Sequence, residues 1–321
     1  MHFVRRSWAL LLVTLLVGCG SSEPDSKVPG AKDGGASSPR AALPDVADLP
    51  TRADGVPVAY RYRVTYDCRR TAAMPDGQQS VVDEQTQFVY SWQWQGNEAE
   101  LVLHSMDLQL TTDDQLSMKS LMTGSRHMTE QGGVTVDEAF EDLNPQWQEL
   151  LRSSFNAPLC HMVFDDEGNE LQRTVTDRPG AKLVIDRGIV ANSRLFHGPF
   201  PTGTNLWEAT SEISTPFYAR GTLTYEIADQ QTSATDDLIE VHVSGTLTGP
   251  PETVSTEVGP VTYTLDGTIV YSKRMREWVA GNLEAELAFD AFIMQQKIPT
   301  RGKVALTMEL LSSKAIDAAS D

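Results

Sequence analysis

Between Val58 and Tyr66 apolar and polar side chains alternate without a break. Val58, Tyr60, Tyr62, Val64 and Tyr66 fall on one face, and Ala59, Arg61, Arg63 and Thr65 on the other. A period of two predicts a strand with one face buried. The pattern returns in "QFVYSWQWQ", where Phe88, Tyr90, Trp92 and Trp94 share a face, after a turn signal at Asp76-Gly77. Beyond Gly96-Asn97 a third strand changes phase, with Leu101 and Leu103 at odd positions and Met106, Leu108 and Leu110 at even ones, which predicts a bulge.

Residues 137–155 break the rhythm. Phe140, Leu143, Trp147, Leu150, Leu151 and Phe155 recur at helical spacing. Asn144-Pro145 has the form of an N-cap followed by proline at the first helical position, so the spacing predicts a helix over about 145–154. "CHMVFDDEGNELQRTVT" then reads as a hairpin turning near Asp166 to Asn169. Residues 178–205 form a long connection with material to pack in Leu183-Val184-Ile185, Ile189-Val190 and Leu195-Phe196.

The second half is strand after strand: Leu223, Tyr225 and Ile227; Ile239, Val241 and Val243; Tyr263 and Leu265; Ile269 and Tyr271; Leu283 to Phe289; Val304 to Leu310. Asp266-Gly267 reads either as a hairpin turn or as a glycine bend inside one long strand. Gly281-Asn282 reads as a turn. Strands at short, regular spacing predict a mostly β fold: an antiparallel curved sheet or half-barrel meander packed with one main α-helix.

The N-terminus obeys different rules. Arg5 and Arg6 precede an apolar run, Trp8 to Val17, of signal-peptide length and too short to cross a bilayer as a helix. It runs into Leu16-Val17-Gly18-Cys19, which resembles the lipobox of bacterial lipoproteins at all four positions. The resemblance implies that residues 1–18 are a signal peptide and that Cys19 becomes the acylated, palmitate-bearing N-terminus. More than one acyl chain is needed for stable anchoring. Residues 19–54 then form a tether. Gly, Ser and Pro fill 13 of the 25 positions from 20 to 44, leaving little to bury, and a coil of this length reaches roughly 30–35 Å. The β-rich domain is expected over 55–312, in halves of about 55–178 and 206–312, with a flexible tail at 313–321. By the sorting pattern of enteric lipoproteins, Gly20 after the cysteine implies the outer membrane, facing the periplasm or the cell surface.

With Cys19 acylated, Cys68 and Cys160 remain as an even pair in an exported chain, where thiols oxidise. They form a disulfide or are two buried thiols, and the oxidising compartment favours the disulfide. The formal net charge is −18, which excludes nucleic acid as a partner and opposes electrostatic adhesion to anionic lipid. The sequence holds no G-x-S-x-G, H-E-x-x-H, P-loop or G-x-G-x-x-G. Its histidines at 2, 104, 127, 161, 197 and 242 are scattered. No catalytic residue, metal site or cofactor is expected. The acidic run from Asp165 to Glu170 lacks the spacing of an EF-hand loop and reads as a solvated turn.

The stripe Phe88, Tyr90, Trp92 and Trp94 reads first as core; its sharper reading is the wall of an apolar cavity or a stacking platform. Residues 197–203, "HGPFPTG", read as a rigid connection. Phe200-Pro201-Thr202-Gly203 and Trp207, placed before the second run of strands, are similar to an "FP…G…W" stretch in uncharacterised secreted bacterial β-rich lipoproteins, a likeness that implies no activity. A helix against a curved sheet also resembles lipoprotein-carrier folds of the cell envelope, an analogy of fold alone. The expected function is therefore a lipid-anchored, non-enzymatic binding module for a lipid or other hydrophobic ligand. The alternative is a structural or protein-interaction lipoprotein with no small-molecule ligand.

Overall fold

The structure is a computed structural model and describes residues 50–52, 56–74, 77–113, 116–178, 181, 194–214, 217–232, 237–249, 258–293 and 296–316. Cys19, the signal segment, most of the tether, Leu183-Val184-Ile185 and Ile189-Val190 lie outside these residues. No helix among the described residues is long and apolar enough to cross a membrane.

The first half supplies β1 (Val58–Ala73), β2 (Gln79–Gln95), β3 (Glu98–Thr112), β4 (Leu116–Thr123), β5 (Arg126–Gln131), β6 (Val134–Ala139), α1 (Pro145–Ser154), β7 (Pro158–Phe164) and β8 (Glu170–Val175). The second supplies β9 (Leu206–Ile213), β10 (Ala219–Thr232), β11 (Asp237–Thr248), β12 (Thr262–Ser272), β13 (Glu277–Ile293) and β14 (Gln296–Ala315). They form one open antiparallel sheet in the order β6-β5-β4-β3-β2-β1-β14-β13-β12-β11-β10-β9, with β7 and β8 branching from β3. The two halves meet where β1 pairs with β14, from Val58 opposite Ala315 to Ala72 opposite Thr300. Ser313, Lys314 and Ala315 therefore belong to the last strand rather than to a tail.

The alternation in the sequence becomes the two faces of a half-barrel. Val58, Tyr60, Tyr62, Val64 and Tyr66 are buried on the concave side, joined by Val304, Leu306 and Met308 of β14 and Tyr263 and Leu265 of β12. The convex side carries charge, as in the Arg63–Glu309 pair at 3.2 Å across β1 and β14. The phase change in β3 is a bulge. Val89 and Tyr90 of β2 pair with Ser105 and Leu103, so His104 is the extra residue. Its ring is bonded to Ser91 Oγ at 2.9 Å and Asn156 Oδ1 at 2.8 Å. The bulge also divides the edge of β3, which pairs with β7 before it and β4 after it. The cap of α1 is as expected: the Asn144 side chain accepts from Trp147 N at 3.0 Å.

Of the two readings of Asp266-Gly267, the glycine within one long strand holds: both residues lie inside β12, where a Cβ on Gly267 would sit 2.3 Å from Asn282 O. Two expectations are corrected. Gly281-Asn282 is also interior to a strand, β13, and the chain reverses instead at Lys273–Arg276. Cys68 and Cys160 are free and buried. Cys160 lies opposite Leu101, Leu101 opposite Trp92, and Trp92 opposite Tyr60. Cys68 is eight residues further along β1 than Tyr60, and at ~3.3 Å per residue that step alone is ~26 Å. No disulfide spans that. Burial pushes both thiols up to about 12, which keeps them protonated.

Candidate functional site

The connection between the halves seats in the concave face. Leu195 and Phe196 are fully buried there. Phe196 lies on β13 at Gly281, where a Cβ would stand 2.6 Å from its ring. The missing side chain of Gly281 thus makes the seat for Phe196. The next residue, His197, ties three parts of the chain together. Its Nδ1 lies 3.0 Å from Glu277 Oε1 on β13 and its Nε2 3.1 Å from Tyr90 Oη on β2. The carboxylate only accepts, so Nδ1–H donates to it, and in the neutral ring Nε2 then accepts from Tyr90. Burial, and then the Glu277 charge, hold the Tyr90 hydroxyl well above the usual tyrosine range, so it keeps the proton it donates. Glu277 Oε1 also accepts from Trp278 N at 3.1 Å, while Oε2 is buried with no partner.

Beside this network opens a cleft of about 640 Å³. Its floor is aromatic: Trp92, Trp94, Phe164 and Trp278 are all buried. Arg52 lies 3.6 Å over the Trp94 ring. Phe200 stacks on Tyr271 at 4.1 Å and meets Trp278 edge-on. The exposed rim is polar, with Asn97, Asp166, Glu167, Thr202, Lys273 and Arg276. Three backbone or side-chain bonds hold the walls together. Asn97 Nδ2 donates to Asp166 Oδ1 at 2.9 Å, Phe200 N to Glu167 O at 2.8 Å, and Trp278 Nε1 to Gly198 O at 2.8 Å. Arg194, deep in the wall, donates to His197 O at 2.5 Å; burial lowers its pKa.

The aromatic stripe divides between two environments. Phe88 packs edge-on to Tyr66 and Tyr90 tilts against Tyr62 in the core, whereas Trp92 and Trp94 border the cleft. The acidic turn at 165–168 and the "HGPFPTG" segment, read from sequence as a solvated turn and a rigid connection, are two of the cleft's walls. Lys273, Arg276 and Glu277 were given no role by the sequence. Their only signal was a charged stretch before an apolar strand. No group of His, Cys, Asp and Glu among the described residues is arranged to hold a metal ion.

No protein-family model matches the chain, and no curated protein matches it. Among solved structures, one of lipovitellin, on lipid–protein interactions, aligns over 82% of this chain at 10% identity and TM-score 0.45. The chain spans 26% of that lipovitellin chain. A beta-barrel-like DUF1849 protein from Brucella abortus aligns over 84% of this chain and 100% of its own, at 11% identity and TM-score 0.24. The translocator domain of the autotransporter NalP from Neisseria meningitidis aligns over 83% and 91%, at 10% identity and TM-score 0.19. These scores are too low to carry an argument about function. The facing of the strands also differs from a membrane barrel, which turns its apolar side outward; here the outward positions of β1 include Arg61, Arg63 and Arg69.

Proposed function

We propose that the protein is a lipid-anchored component of the cell envelope, held through Cys19, whose β body is a non-enzymatic binding module with the aromatic cleft as its site. The observation that carries the binding reading is the cleft itself. An aromatic floor under a ring of charged and amide groups, at about 640 Å³, has the size and make-up of a small-ligand site. The anchor rests on the lipobox resemblance and the Gly-, Ser- and Pro-rich stretch behind it.

The ligand has an apolar face and polar edges. Among the described residues the concave face is filled by the protein's own side chains, so the hydrophobic part of the ligand lies on the cleft floor rather than running beneath the sheet. Native mass spectrometry of the detergent-extracted full chain tests this. The intact protein is expected to carry a non-covalent mass that disappears on denaturation and is absent from Trp94→Ala. A bare protein mass in both forms contradicts it.

One observation favours a second reading, a protein-interaction role. β6 is an edge strand with Val134 66% and Val136 46% exposed, and an open edge of this kind invites an added strand.

A further inference from the structure

We propose that the ligand of the cleft is a neutral saccharide, taken as a short oligosaccharide or as the sugar headgroup of a glycolipid. This rests on the binding reading above and specifies its chemistry. Charge gives the first argument. The lining holds Arg52, Arg194, Lys273 and Arg276 against Asp165, Asp166, Glu167 and Glu277, so formal charge cancels. An anion entering the cleft meets four carboxyl groups and a cation meets four basic groups, and no sign of ligand charge is selected.

The second argument is shape. A pyranose ring has apolar C–H faces and a hydroxylated edge. The lining offers the matching surfaces: aromatic rings on the floor, with Phe200 and Tyr271 half-exposed, and charged or amide side chains at the rim. Flat aromatic surface rewards a flat apolar partner, and charged groups make stronger hydrogen bonds to hydroxyls than neutral ones.

The test is a tryptophan-fluorescence titration of the full chain. The probes are a panel of neutral oligosaccharides, the same sugars on a dodecyl chain, dodecyl amine oxide without sugar, and sulfated and amino sugars. At least one neutral sugar is expected to bind saturably, in free form if the source is a glycan and only in dodecyl-linked form if it is a glycolipid. Glu167→Ala, an exposed rim variant that keeps the backbone bond from Phe200 N to Glu167 O, is expected to weaken it about threefold. The exposed rim variant Lys273→Ala, which leaves the core untouched, is expected to weaken it about threefold. Binding of dodecyl amine oxide as tight as that of the dodecyl sugars overturns the saccharide while the binding reading stands. So does binding restricted to the sulfated or amino sugars. A neutral sugar bound equally by both variants overturns the placement in this cleft. No binding by any probe, together with no co-purifying mass, overturns both readings.

Discussion

Replacing Phe196 by Ala is expected to destabilise the fold by about 3–5 kcal/mol, the usual cost of emptying a large buried aromatic site. Phe196 is fully buried against β13. The complementary change, Gly281→Val, is expected to cost about 1–3 kcal/mol by overpacking, since even a Cβ there stands 2.6 Å from the Phe196 ring. The two effects are coupled, because the volume removed by one is partly returned by the other. The double variant is therefore expected to be more stable than the sum of the single losses predicts. Urea unfolding of the three variants reads this directly. Losses that simply add would show that Phe196 and Gly281 do not share a seat.

Removing the histidine ring is the second large effect. His197→Ala leaves Tyr90 Oη without its partner inside the core and takes the imidazole from Glu277. Each buried polar group left open costs about 1–3 kcal/mol, and the lost ring leaves a cavity besides, so the expected loss is about 3–4 kcal/mol. Two tyrosines supply the internal comparison. Tyr90→Phe removes a bonded hydroxyl but leaves His197 Nε2 open, and is expected to cost about 1–2 kcal/mol. Tyr62→Phe removes a hydroxyl that has no partner and is expected to be neutral or mildly stabilising. Equal losses from the two substitutions would show that the Tyr90–His197 bond contributes nothing.

Local pattern carried much of this fold. The unbroken alternation of Val58 to Tyr66 needs only its own period to declare a half-buried strand, and Asn144-Pro145 carries its cap chemistry in adjacent residues. The bulge at His104 was legible too, because an extra residue shifts the apolar phase along the same strand. Features that depend on distant partners were not legible. Gly281-Asn282 has the composition of a turn, and it is strand because β12 and β14 pair with it on both edges, the glycine leaving room for the Phe196 ring. Cys68 and Cys160 look like a pair until the register across β1, β2, β3 and β7 sets them far apart. The acidic turn at 165–168 is the exposed turn its sequence suggests, but its place in the cleft wall comes from Asn97 and the backbone at Phe200. The cleft is thus assembled from long-range contacts among Arg52, β2 and the turn after it, the β7–β8 turn, the 194–202 segment and the β12–β13 turn. Of its floor, only Trp92 and Trp94 stood out in the sequence.

Hydrogen–deuterium exchange of the full chain, with and without a soluble extract of the cell envelope, tests the placement of the site most directly. The account predicts added protection confined to residues 164–168, 194–202 and 271–278, with the β4–β6 strands unchanged. Protection centred on β6 and its exposed Val134 and Val136, with none at the cleft, would contradict it and turn the function toward a protein partner.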